Sequence, residues 1–172
     1  DNTKEFATHT SLGANDAARR TTVVKAMQAC VNNPVNGSRN EWLEYTTIVC
    51  PGFPEVFDEL YRLMQDQLEE VFIIDETPFD KPATGPNSIV SWATSSQVRN
   101  ENYHGASYFP HGIASNIDGQ DVLMTAASIA TRVFAYNDQQ RDVWWAPAGT
   151  QRGQCGFLSD LGYVSGTLGG PT

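Results

Sequence analysis

Tyr45-Thr46-Thr47-Ile48-Val49-Cys50-Pro51-Gly52-Phe53-Pro54 is the stretch on which the fold turns. Tyr45 to Cys50 is a β-branched run that reads as a buried strand. Pro51-Gly52-Phe53-Pro54 makes a sharp turn, and Pro54 suits the first helical position, where a missing N–H costs nothing. Val56, Phe57, Leu60, Leu63, Met64 and Leu68 then recur at helical spacing, while Glu55, Asp58, Glu59, Asp66 and Glu69 fall largely off that stripe. The acids Glu55, Asp58 and Glu59 near the start complement the helix dipole. Val71-Phe72-Ile73-Ile74, ending at Asp75, reads as a second buried strand. Strand, helix and strand in this order imply a right-handed crossover and a parallel pair.

Upstream, residues 1–14 are polar and expected to be poorly ordered. Asn15 or Asp16 can cap a helix whose apolar face is Val23, Val24, Met27, Cys30 and Val31, ended by Asn32-Asn33-Pro34 before a turn-rich loop through Gly37. Downstream, residues 77–101 read as an insertion or linker broken by Pro78, Pro82, Gly85 and Pro86, with a short helix or strand at Ile89 to Ala93. Tyr103 to Ile113 reads as a third strand, with Pro110 placed at an edge or strand end. Asn116 to Gln120 is a loop and Asp121 a helix cap. Val122, Leu123, Ala126, Ala127, Ala130, Val133 and Phe134 form the stripe of a third helix. The expectation is a single α/β domain with a βαβ unit and a small mixed or parallel sheet flanked by helices.

The 172 residues suffice for one buried core, and a formal charge of -9 argues against a protein that tracks nucleic-acid phosphates. Cys30, Cys50 and Cys155 are odd in number and lack a Cys-x-x-Cys spacing, so they are expected as thiols, two of them buried. No apolar run has the length of a membrane span and the polar start lacks a signal peptide. Both ends, Asp1 and Gly169-Gly170-Pro171-Thr172, look like cuts within a longer protein.

Catalytic and ligand-binding patterns are weak. Cys50-Pro51-Gly52-Phe53-Pro54 lies where α/β proteins place ligands, but it lacks the glycines and lysine of a phosphate-cradling loop. Cys50 is expected as a packed core thiol. Asp75-Glu76 occupies a position that carries catalytic carboxylates in many enzymes, yet reads first as a charged strand end entering a surface loop. His104 and His111 flank the third strand at a spacing that matches no common zinc motif, and His9 lies in the polar N-terminal segment. Ser107, His104 and Asp75 would compose a nucleophilic triad, without a Gly-x-Ser-x-Gly elbow. No catalytic residue, cofactor or metal is assigned.

Near the other end, Tyr136-Asn137-Asp138-Gln139-Gln140-Arg141-Asp142-Val143-Trp144-Trp145-Ala146-Pro147-Ala148-Gly149 is aromatic and closed by a tight turn. Adjacent strand residues point to opposite faces, so one tryptophan is expected in the core and the other at a neighbour. With Ile48-Val49-Cys50-Pro51-Gly52, Phe72-Ile73-Ile74-Asp75, Ala106-Ser107-Tyr108-Phe109-Pro110 and Ser128 to Asp138, this segment resembles the ordered pattern of contractile bacteriophage tail sheath proteins. The likeness runs over roughly residues 45–153. Its motif positions here are Pro51, Gly52, Asp75, Pro110, Asp138, Trp144, Ala146, Pro147, Ala148 and Gly149. Asp142 stands where that pattern usually has glycine, and His111 where it has an aromatic.

The resemblance implies a non-enzymatic structural subunit in the virion tail, assembled in the host bacterial cytoplasm. Its implied partners are neighbouring sheath subunits, with the tail tube as a further candidate, and neither nucleic acid nor membrane. Contraction would exchange one set of subunit interfaces for a lower-energy set. Residues 153–172 would be a shortened exit toward a missing C-terminal domain, leaving the isolated piece monomeric. Two other readings stay open: a hydrolase using Ser107, His104 and Asp75, and a carbohydrate-binding host-attachment module using Trp92, Trp144 or Trp145.

Overall fold

The computed structural model describes residues 14–33, 45–67, 71–95 and 104–162. His9, Pro34, Gly37, Leu68, Glu69 and Tyr103 lie outside them, as do residues 163–172. Helix α1 spans Ala14–Asn32, so Asn15 and Asp16 fall inside its first turn instead of capping it. Strand β1 is Thr47–Val49, the middle of the expected run. Pro54–Val56 forms a 3-10 turn with Pro54 in its first turn, and it leads into α2, Phe57–Gln67. Strand β2 is Phe72–Glu76, α3 is Ile89–Ser95, and β3 is Gly105–Tyr108.

Strands β1, β2 and β3 form a parallel sheet with β2 in the middle, pairing Ile48 with Ile73 and Asp75 with Ser107. The expected α/β class and βαβ unit are therefore present. Alternation along β2 sends neighbouring residues to two different layers. Ile73 packs with Val56, Phe57, Leu60, Met64 and Val71 on the α2 side, where Val24, Met27 and Val31 of α1 add cover. Ile74 packs with Ala127 and Ala130 on the opposite side. Val23 and Cys30 are exposed, because among the described residues it is the stripe at 24, 27 and 31 that packs against the α2-side core.

The expected third strand is two strands. After β3 the Phe109–Pro110 bond is cis, and β4, His111–Ser115, belongs to a second sheet. That sheet is antiparallel, ordered β5-β4-β6 with β5 at Asp121–Met124 and β6 at Asp160–Gly162. Pro110 thus stands between two sheets, where no ladder requires its missing N–H. Asp121 starts a strand instead of capping a helix, and Val122 and Leu123 pair with Ala114 and Ile113. Asn116 to Gln120 is the loop of this hairpin, closed by Asn116 N–H to Gln120 O at 2.8 Å, with Gly119 at φ 72°.

Helix α4, Ala126–Gln140, begins four residues later than its apolar stripe suggested. Its cap is Thr125, whose hydroxyl accepts the Ser128 N–H at 3.4 Å. Thr125→Ala should cost about 1 kcal/mol, read as a lower urea midpoint at unchanged slope. A short helix α5, Gly149–Arg152, follows the exit turn.

Candidate functional site

The carboxyl end of the parallel sheet gathers the most chemistry. Cys50 and Gly52 follow β1, Asp75 and Glu76 end β2, Ser107 lies on β3, and His111 opens β4. Asp75 and Glu76 are both buried, against the expectation of a charged strand end at the surface. Glu76 shares the parity of Ile74 and so points to the α4 layer. It is 2 % exposed, and its Oε1 accepts the Gly52 N–H while Oε2 accepts the Ala127 N–H at 3.1 Å. Burial pushes its carboxyl above the ordinary value, with the Ala127 and Gly52 N–H groups opposing that shift.

The amino end of α4 is the place where an α/β protein would hold an anionic ligand. Here the chain fills it. Glu76 takes one free amide of the helix, and His111 takes the next. His111 is 3 % exposed; the Ala126 N–H donates to its Nδ1 at 3.1 Å, and its Nε2–H donates to the Thr77 carbonyl at 2.9 Å. These two roles demand the neutral ring with its proton on Nε2. Gly52 is gripped on its other side too. Arg20 of α1 donates to the Gly52 carbonyl at 2.8 Å and forks onto Glu55, with its guanidinium 4.8 Å from the Phe53 ring centroid. Gly52 has φ 85°, a conformation that side chains other than glycine seldom adopt, which explains the residue.

The Ser107–His104–Asp75 set is only half assembled. Ser107 Oγ donates to Asp75 Oδ2 at 2.7 Å. His104 is exposed at a bend that precedes β3, outside the strand that carries Ser107. Cys50 is half-buried, and burial, reinforced by Glu76, Glu55 and Asp75, pushes its thiol up to about 11 from 9.0. A thiol at about 11 carries about a hundredfold less thiolate at pH 8 than one at 9.0. Alkylation of Cys50 by iodoacetamide should therefore lag that of a model thiol by about that factor, as followed by peptide mass spectrometry. Cys155 is half-buried and Cys30 exposed, so no cysteine is a fully buried core thiol. Among the described residues, no three His, Cys, Asp or Glu side chains gather in a metal-holding group.

The second candidate is the exit of α4. Asn137 is 2 % exposed, and its Nδ2 donates to the Trp145 carbonyl at 2.7 Å, tying the helix to the turn that follows it. The turn closes by Trp145 N–H to Asp142 O at 3.0 Å and Ala148 N–H to Ala146 O at 2.9 Å. Gly149 takes φ 83°, the left-handed conformation that ends the Ala146-Pro147-Ala148 turn and starts α5. Because residues 143–145 form a turn and no strand, neither tryptophan enters the core: Trp144 is 75 % and Trp145 49 % exposed. Val143 is exposed beside them in sequence, and so are Tyr136 and Asp138 on α4.

Sequence reasoning missed Glu76 and Asn137 as anchors. The signals were present: Glu76 keeps step with Ile74 along β2, and Asn137 follows Val133 by four positions on the buried stripe of α4. No helix of the described residues is long and apolar enough to cross a membrane. Compared with known proteins, the chain matches no family model and no curated relative.

Proposed function

We propose that this chain is the core domain of a contractile-tail sheath subunit, a mechanical part whose partners are neighbouring copies and, secondarily, the tail tube. The carrying observation is the exit segment: an apolar surface of Val143, Trp144 and Trp145 held outward by a buried asparagine and a glycine-dependent turn. A segment anchored this firmly, with its apolar side chains left uncovered, suits contact with another subunit. The motif positions also support the reading, since they fall at element ends. Pro51 and Gly52 make the first turn after β1, Asp75 lies near the end of β2, and Pro110 separates the two sheets.

In this reading the domain surrounds the tube in the virion tail and moves as a rigid piece when the sheath shortens to drive the tube through the host envelope. Antibodies raised against the domain should decorate the whole length of the sheath in electron micrographs of the parent particle. Labelling confined to the baseplate or the tube would refute the assignment. The exposure of both tryptophans also favours a second reading, a carbohydrate-binding attachment module. Glycan-array binding lost in Trp144→Ala would support that one. The hydrolase alternative has the Ser107–Asp75 pair in its favour and the exposed place of His104, at a bend outside β3, against it.

A further inference from the structure

A cleft at the carboxyl end of α4 carries a chemistry that the sheath reading does not use. Tyr136, Asn137, Gln140, Arg141, Gln151 and Arg152 line a volume of about 290 Å³. Neither arginine pairs with a carboxylate among the described residues, although the chain has 20 acidic against 11 basic side chains. Asp138 and Asp142 adjoin these residues in sequence but do not line the cleft. The Arg152 guanidinium lies over the Trp145 ring, 5.1 Å from its centroid, a contact that orients the planar group and leaves its charge in place. Asn137 supplies a second, independent sign. It forms part of the cleft lining, its Nδ2 is engaged by Trp145, and its buried Oδ1 has no donor among the described residues. Buried polar atoms of this kind are rarely left unmatched.

We propose that this cleft binds an acidic polypeptide segment, with a carboxylate taken by Arg141 and Arg152. A planar carboxylate matches the guanidinium fork, and the Gln140 and Gln151 amides can both donate to and accept from the flanking peptide groups. The exposed Tyr136, in the cleft lining, supplies aromatic area of the kind that concentrates binding energy at protein interfaces. A bare phosphate would leave the amides and Tyr136 unused. Nucleic acid, with a charge at every nucleotide, would meet a protein of net charge -9 outside this one spot. Repulsion of a short acidic peptide by the same surface is screened at physiological salt, whereas the contacts inside the cleft are short-ranged. The assignment rests on the cleft alone and stands apart from the sheath reading.

The test is fluorescence anisotropy of a labelled, capped hexaglutamate peptide titrated with the complete 172-residue protein at physiological salt. Saturable binding is expected, weakened about tenfold or more in Arg141→Ala/Arg152→Ala. Arg141→Lys/Arg152→Lys should retain part of the affinity, because charge survives without the fork. Both variants are to be compared at equal thermal midpoints. Absence of binding by the wild type, or equal binding by the double alanine variant, would overturn the proposal. So would displacement of the peptide by equimolar inorganic phosphate, or tighter binding of a single-stranded oligonucleotide.

Discussion

Glu76→Ala is expected to lower the stability of the domain by about 3 kcal/mol or more, since it strands two amide donors at once. One is the Gly52 N–H in the turn after β1, and the other the Ala127 N–H in the first turn of α4. The Ala127 N–H loses its acceptor in a buried place and the Gly52 N–H in a half-buried one. The same carboxylate complements the positive end of the helix, so the deletion also removes a favourable charge–dipole contact. Chemical denaturation should report the loss directly.

Glu76→Gln keeps the shape and one acceptor oxygen, and should cost less than the alanine variant while removing the titration. Burial holds the Glu76 proton to higher pH in the folded protein than its ordinary 4.5 in the unfolded chain. The part of the stability linked to this proton is therefore full below about 4.5 and is lost as the pH rises through the folded value, while the two N–H bonds to the carboxyl oxygens remain. Wild-type stability measured relative to Glu76→Gln should fall as pH is raised from about 4.5 toward neutrality. A difference that grows over that range would contradict this account.

His111→Ala should cost about 3 kcal/mol by a parallel route. It leaves the Thr77 carbonyl and the Ala126 N–H without the ring nitrogens that serve them, and it empties the space beside Phe79, whose ring centroid lies 5.3 Å away. Glu76 and His111 act on consecutive amides of one helix end, so their losses should not add. A double-mutant cycle with Glu76→Gln is expected to give a coupling of about 0.5–3 kcal/mol. Hydrogen exchange should quicken first in the opening turn of α4. Protection unchanged there, with loss elsewhere, would show that the ring merely fills space.

The reading from sequence succeeded where local pattern and tertiary demand coincide. The stripe Val56, Phe57, Leu60, Leu63 and Met64 is buried as a helix, Pro54 sits in its opening turn, and Ile73-Ile74 is the centre of the parallel sheet. It failed where one pattern served two structures. Val122 and Leu123 stand at helical spacing from Ala126 and Ala130, yet they pair as a strand with Ile113 and Ala114. Periodicity over so few residues does not distinguish the two, and the hairpin partner decided. Residues 105–113 likewise carry one continuous extended preference, and only the placement of β2 on one side and of β5 and β6 on the other divides them between two sheets.

The candidate sites show the same division. Gly52 and Gly149 were legible as turn positions because a left-handed backbone leaves its mark on the residue that adopts it. The role of Glu76 was not, since a carboxylate at a strand end is ordinarily solvated. Its burial comes from α4, some fifty residues later, settling its first turn onto that oxygen. The cleft between α4 and α5 is equally a product of tertiary structure: Arg141 and Arg152 are separated by a turn that Asn137 ties to the helix and Gly149 ends. By itself the sequence determined the class of fold, the βαβ unit and the positions of the turns, because these follow from local sterics and the period of apolar side chains. Tertiary structure alone decided which polar groups were buried and what satisfied them. That outcome depends on desolvation by distant segments, which no local pattern encodes.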